Sequence, residues 1–306
     1  MTFYTGSAGI LARKAQLEPM LGHPLHAFKT NTELAQDDVL VGWGQKANTR
    51  QIRQKAHDLG LPYWQLEDGF IGYIGHPARG GKAVSLIADP VGIYYDARQP
   101  SRLEELIATP CDDSMLARAE TLTAELLRLG ITKYNCYTAD SGLPDTLTAR
   151  LHSDPRPKVL LIDQVAGDLS IPGALASEED FVAMVAAARR NHPDARLLLR
   201  THPDTRLGKK SGVLARLALD DVEVVAEHCH PHALLNSVEA VYTVSSQMGF
   251  EALLLGKAVH CFGMPFYAGW GLTHDSKTCP RRQGPIALPQ LVAAALILYP
   301  RYLDPI

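Results

Sequence analysis

The chain lacks any apolar run long enough to cross a bilayer; the longest candidate, LVAAALILY near the end, fits a buried helix. It also lacks a basic start followed by a long apolar core, so MTFYTGSAGILARK predicts no secretory leader. Cysteine is scarce: five residues, at 111, 136, 229, 261 and 279, are odd in number and scattered. That argues against a disulfide framework and for reduced thiols in a cytoplasmic protein. No G-x-x-x-x-G-K-S/T loop and no G-x-G-x-x-G fingerprint occur, which speaks against a P-loop or dinucleotide enzyme. No G-x-S-x-G elbow occurs either, which removes the commonest serine-hydrolase signature. Basic residues are not in excess, with 30 Lys and Arg against 33 Asp and Glu, so a dedicated nucleic-acid binder is disfavoured.

What is present is an alternation of short β-rich runs with helical ones. At 306 residues, with 46% apolar and 21% charged, the chain is long enough for one large core or two ordinary ones. DVLVGWG and LPYWQLEDG read as strands with turns, and KANTRQIRQKAHDLG between them as a helix stopped by Gly60. PSRLEELIA and SMLARAETLTAELLRLG read as helices, the second stopped by Gly130. A polar, proline-rich stretch, SDPRP, precedes the strand KVLLIDQ, and alternation then resumes through ARLLLRTHP, VEVVAE, AVYTV and KAVHCFG. Strands alternating with helices predict parallel sheets covered on both faces, an α/β architecture. The expected boundary lies between about residues 140 and 157, giving two doubly wound lobes, with one larger sheet as the alternative. Ligands in such sheets bind beyond the carboxyl ends of strands.

Four stretches fall at predicted strand exits. In LEDGF, Glu67 and Asp68 precede a glycine; they read either as a solvated turn or as a general acid or base facing a cleft. In LLIDQVAGDLS, Asp163 and Asp168 flank Gly167; a cap and a solvated carboxylate, or a nucleophile, are both open readings. Without nearby His or further acidic ligands a metal site is disfavoured there. In LLLRTHPDT, Pro203 biases His202 to extended backbone, for a structural histidine or one that meets a phosphate. In VSSQMGFEA, Ser245 and Ser246 stand where a strand gives way to a helix, as plain caps or as part of an anion site. Neither serine has a Glu or Gln three residues on, so the reciprocal capping box is missing, and Gly249 leaves room for a close approach. EHCHPH concentrates histidines in one short segment, whereas zinc sites usually draw on two separated segments. RLGKKSG, at 206–212, reads as a basic, solvated turn.

Taken in order, GWGQK, LPYWQLEDGF, GIYYDARQPSRLE, TKYN, LLIDQVAGDLS, RTHPD, SSQMGFEALLLGKAVHCFGMPFYAGWGLT and RYLDP span nearly the whole chain. This series resembles the bacterial capsule-polysaccharide biosynthesis and export proteins of the KpsC/LipA type, the retaining β-Kdo glycosyltransferases. The resemblance implies a GT-B fold: residues 1–150 as an acceptor-side Rossmann-like lobe, residues 151–306 as a donor-side lobe, and a last helix packing back on the first. It implies the donor CMP-β-Kdo, no cofactor and no catalytic metal, since CMP carries a single phosphate. The acceptor would be a β-Kdo linker on a phosphatidylglycerol-type lipid. The protein would then work peripherally at the inner face of the cytoplasmic membrane, beside other capsule-assembly proteins. By the same resemblance Asp168 is the nucleophile, with Asp163 as the alternative, and Glu67 the acid/base. His202, Ser245, Ser246, Gln247, Glu251 and Lys133 would bind the donor, with Lys46 a further cation. HP and SS are shared with other CMP-sugar transferases, so a sialic-acid-like donor is a second reading, and a non-catalytic glycolipid-binding module a third.

Overall fold

Short runs of Val, Leu, Ile and aromatic residues, broken by Gly and Pro, become strands because such side chains fill a pleated, buried surface. The structure is a computed structural model and describes residues 1–138, 141–201, 211–217 and 219–303. The first lobe holds β1 (Phe3–Thr5), β2 (Leu25–Ala27), β3 (Val39–Trp43), β4 (Tyr63–Asp68), a small hairpin of β5 (Tyr73–Ile74) and β6 (Lys82–Ala83), and β7 (Ser85–Asp89). The second holds β8 (Lys158–Ile162), β9 (Arg196–Arg200), β10 (Val222–Val225), β11 (Ala240–Thr243), β12 (Ala258–Cys261) and β13 (His274–Asp275); β14 (Arg301–Tyr302) closes the chain. The sheet orders are β14-β7-β4-β3-β1-β2 and β10-β9-β8-β11-β12-β13.

The second sheet is parallel throughout. The first is parallel from β2 to β4, but β7 runs antiparallel to β4, and β14 antiparallel to β7. Its physical cause is the connection: the chain passes from β4 to β7 through the β5–β6 hairpin, with no α-helix to carry it back to the other end of the sheet. Each sheet changes winding direction once, between β1 and β3 in the first and between β8 and β11 in the second. These switch points leave crevices beyond the strand ends. The fold is GT-B: two Rossmann-like lobes facing one another across a cleft.

The helix ends obey local chemistry. Arg50–Leu59 stops at Gly60 (φ 66°) and Asp113–Leu129 at Gly130 (φ 63°), both in the left-handed region that glycine enters without strain. The apolar run near the end forms a buried helix, Leu288–Val292, continued by wider turns over Ala293–Leu298. It packs against the helices Arg102–Ala108 and Asp113–Leu129. The helix Asp145–His152 is tied to the second lobe, because Arg150 pairs with Glu223 at 2.7 Å and Glu227 at 2.6 Å.

The lobes are joined at the cleft floor. Phe70, just after β4, packs on Phe266 (4.4 Å between ring centroids) and Tyr94 (4.7 Å), and one buried core runs through both lobes. Glu104 accepts from Arg281 at 2.7 Å and from the buried Arg282 at 3.4 Å, and Ala97 N–H donates to Gly173 O at 2.8 Å. A Cβ on Gly173 would lie 2.4 Å from Tyr95 O, so only glycine lets the two backbones meet there. All five cysteines are free thiols. Among the described residues no helix is long and apolar enough to cross a membrane.

Candidate active site

The strand ends of both sheets open into one cleft of about 1300 Å³. Glu67, Asp163, Asp168, Lys133, Ser245, Ser246, Gln247, Glu251 and Lys46 all line it, so residues as far apart in sequence as Lys46 and Glu251 converge. His202 and most of the RLGKKSG turn lie outside the described residues.

From the first lobe, β4 delivers Glu67. Its Oε1 accepts from Trp43 Nε1 at 2.9 Å and from Asp68 N–H at 3.1 Å. Burial pushes the Glu67 carboxyl up to about 7; the Asp68 charge adds to the rise, while the Asp68 N–H, Lys133 and Trp43 oppose it. Trp43 is itself fixed by the Arg13 guanidinium, 4.5 Å from the ring centroid, and Lys46 Nζ stands 5.9 Å from the same ring. Arg13 also reaches Asp68 at 3.4 Å, and Tyr73 donates its hydroxyl to Asp68 at 2.6 Å. Gly44, the second glycine of GWG, has φ 49° and no space for a side chain: a Cβ would sit 2.3 Å from Tyr95 Oη and 2.9 Å from Glu67 Oε2.

Lys133 follows the long helix Asp113–Leu129. Burial presses its ammonium down, but Tyr134, Asp68, Glu67 and Asp168 together hold it above its ordinary value. Carboxylates of both lobes therefore act on one cation. Glu251, buried in the helix Met248–Leu254, belongs to the same network. Burial pushes it up to about 7, opposed by the Lys133 N–H and ammonium.

In the second lobe the two aspartates of DQVAGD separate. Asp163 is buried; its Oδ1 accepts from Gln164 N–H and Leu214 N–H, both at 2.9 Å, and its Oδ2 from Ala215 N–H at 3.3 Å. A Cβ on Gly212 would strike that carboxylate at 1.9 Å. Asp163 is thus a brace for the segment Gly212–Ala215. Asp168 is exposed to the cleft after Gly167 (φ 80°), and its Oδ1 accepts from Ser170 N–H at 2.8 Å. Gln164 joins this loop to the other strand exit: it accepts from Ser245 N–H at 2.8 Å and donates to Ser245 Oγ at 2.9 Å. Ser170 Oγ lies 3.2 Å from Ser245 Oγ.

At VSSQMGFEA the structure divides the work. Ser245 belongs to the Gln164–Ser170 group, whereas Ser246 Oγ accepts from Met248 N–H at 3.3 Å and caps the helix locally. Gln247 donates its amide to Phe70 O at 2.7 Å and so links the lobes. The close approach expected at Gly249 is made by Tyr267 of FYAGWG: a Cβ at position 249 would be 2.2 Å from Tyr267 Oη, which donates to Ser246 O at 2.5 Å. In EHCHPH, His230 Nδ1 accepts from His232 N–H at 3.0 Å, which puts its proton on Nε2, 3.0 Å from Gly130 O. That histidine ties the helix Pro231–Asn236 to Gly130. Among the described residues no group of three or more His, Cys, Asp or Glu is placed to hold a metal ion.

Sequence reasoning missed Arg13, Trp43, Tyr95, Gln164 and Ser170. Trp43 and Tyr95 carried a signal, since each sits in a Gly- or Pro-bounded segment rather than in an amphipathic run; Arg13 carried none.

Glu251 gives a first expected result. Its carboxyl titrates near 4.5 in the unfolded chain and near 7 when folded, so the folded state holds the extra proton between those values. Stability contributed there falls as pH rises from about 4.5 through 7, by up to roughly 3 kcal/mol. Glu67 adds a like decline over the same range, so urea unfolding is expected to show the two together, and Glu251→Gln to lessen the slope while leaving the Glu67 share. An unchanged slope in the variant counts against the assignment.

Residues 38–123 and 113–302 match the family described as capsule polysaccharide biosynthesis protein. The capsule polysaccharide modification protein LipA of Neisseria meningitidis serogroup B is 38% identical over 98% of this chain and 43% of its own length. The lipopolysaccharide-processing protein LpsZ of Rhizobium meliloti is 35% identical over 86% of this chain and 59% of its own. The chain therefore spans well under two thirds of the curated relatives it matches. Among solved structures, the β-Kdo 2,4 transferase of Thermosulfurimonas dismutans KpsC is 41% identical with a TM-score of 0.91, covering 100% of this chain and 93% of that one. The β-Kdo 2,7 transferase of the same protein is 29% identical with a TM-score of 0.71, covering 100% and 94%.

Proposed function

The chain belongs to the capsule polysaccharide biosynthesis protein family, and from that premise we propose that it is a retaining β-Kdo glycosyltransferase. The observation that carries the reading is one cleft in which Glu67 of the first lobe and Asp168 of the second both act on Lys133. The two Kdo transferases of Thermosulfurimonas dismutans support the choice of sugar. Similarity is greater to the 2,4 enzyme, so the linkage formed is β2→4.

The donor is CMP-β-Kdo. Asp168 attacks the anomeric carbon, the bond to the CMP phosphate breaks, and its electron pair leaves with CMP. The acceptor hydroxyl then attacks the same carbon, gives its proton to Glu67, and displaces the Asp168 carboxylate. Two inversions leave the configuration retained. A Glu67 carboxyl near 7 is poised to accept that proton at neutral pH. Lys133 offsets the charges of the Kdo carboxylate and phosphate, and the Ser245 and Ser246 hydroxyls face the phosphate. The family resemblance adds His202 to the donor-binding residues. Asp163 and Gln247 serve by holding the loops that carry these groups. No cofactor takes part. The acceptor is a lipid-linked Kdo chain, so the enzyme acts peripherally at the inner face of the cytoplasmic membrane, with other capsule-assembly proteins.

The test is incubation with CMP-Kdo, generated in situ, and a synthetic Kdo-terminated acceptor. CMP release and a product with a β2→4 linkage by NMR are expected. Faster transfer from a CMP-sialic acid would assign a different donor class. CMP binding by folded protein without turnover would mark a non-catalytic module.

A further inference from the structure

The first-lobe side of the cleft continues past Glu67 into a wall that no step above uses. The β5–β6 hairpin carries His76 and Arg79 between its strands, and Tyr134 follows Lys133 directly. The His76 ring lies 4.8 Å from the Tyr134 ring, and Lys133 Nζ lies 5.7 Å from the same ring centroid. This wall is anchored to the reacting centre. Gly72 and Tyr73 N–H groups donate to Lys133 O at 2.9 and 3.0 Å, and the Asn135 amide donates to Tyr73 O at 2.8 Å. At the hairpin neck a Cβ on Gly81 would meet Gly75 O at 2.0 Å, so the two arms are in backbone contact. Arg79 is exposed and, among the described residues, makes no ion pair. Ile74, on the same hairpin, is 51% exposed.

The chemistry selects an acidic sugar. An aromatic ring offers its face to the C–H face of a pyranose, and a guanidinium at a cleft rim pairs with a carboxylate through two parallel hydrogen bonds. The position selects the acceptor: the wall belongs to the lobe that carries the proton-accepting Glu67, while the donor-side hydroxyls of Ser245 and Ser246 belong to the other. At about 1300 Å³ the cleft also exceeds the roughly 300–1000 Å³ usual for a single small ligand. Resting on the transferase reading above, we infer that Arg79 and Tyr134, oriented by His76, form the subsite for the acidic sugar of the acceptor. Arg79 pairs with its carboxylate and Tyr134 covers its ring.

Calorimetric titration tests this without turnover. A synthetic oligosaccharide ending in β-Kdo, its methyl ester, and CMP are each titrated into wild type, Arg79→Ala, Arg79→Lys and Tyr134→Ala. Arg79→Ala is expected to weaken the free acid by roughly 10-fold or more and leave the methyl ester and CMP unchanged, as suits the loss of one charge-assisted contact. Arg79→Lys recovers part of the loss, and Tyr134→Ala weakens acid and ester alike at constant CMP affinity. The inference is overturned if Arg79→Ala binds the acid as wild type does, or loses acid and ester equally. Absence of Kdo transfer with this pattern intact would overturn the transferase reading and leave the subsite standing.

Discussion

Asp168→Asn is expected to lower Kdo transfer by at least about 10³-fold while CMP affinity stays within a few-fold of wild type, because loss of an attacking carboxylate removes the covalent route and leaves binding contacts in place. Initial rates and CMP titration measure the two halves. The contrast that makes it informative is Asp163→Asn. That side chain accepts three backbone N–H groups in a buried position, so its replacement acts through the fold: unfolding moves to lower temperature, and activity falls with the folded fraction. Wild-type rates in Asp168→Asn would remove it as nucleophile. Loss of chemistry in a fully stable Asp163→Asn would transfer the role.

Glu67 carries the second large effect. Its carboxyl titrates near 7, and only the ionised form accepts the acceptor's proton. Transfer is therefore expected to be near constant above about pH 8, to halve near pH 7 and to approach a tenfold fall per unit below about pH 6. Glu67→Gln should reduce the plateau by roughly 10²- to 10⁴-fold and abolish the acidic limb. Glu251 also titrates near 7, so the limb needs a control. Glu251→Gln is expected to keep it, since Glu251 is buried in the helix Met248–Leu254 beside the Lys133 N–H. A limb that survives Glu67→Gln and vanishes in Glu251→Gln would reverse the assignment.

Gly44 shows how closely the site is built around these groups. Its left-handed backbone and the absence of a Cβ let Tyr95 and Glu67 meet, and Tyr95 Oη accepts from Gln45 N–H at 3.0 Å. Glu67 thus lies among Trp43 of the neighbouring strand and Tyr95 of a later loop.

Much of the fold was legible because it is set by local periodicity and local breaks. The helices ending at Gly60 and Gly130, the buried parallel strands Lys158–Ile162 and Arg196–Arg200, and the exits that carry Glu67, Asp163, Asp168 and Ser245 all follow from residues a few positions apart. The rule that ligands lie beyond strand ends then directs attention to one cleft. The outermost strand of the first sheet was not legible, since β14 pairs with β7 from more than 200 residues later in the chain. Nor were the fates of individual polar groups. Equal carboxylates five residues apart became a brace and a cleft-facing group because Gly212–Ala215, about 50 residues later, offers its N–H groups to only one of them. Gln247 was claimed by Phe70 O, 177 residues away, and the space beside Gly249 by Tyr267. The sequence by itself determined which residue types stand at the strand exits, because strand and helix signals are short-ranged. Only the tertiary structure decided which of them face the cleft, because a side chain's free hydrogen-bonding capacity is what remains after distant backbone has taken its share.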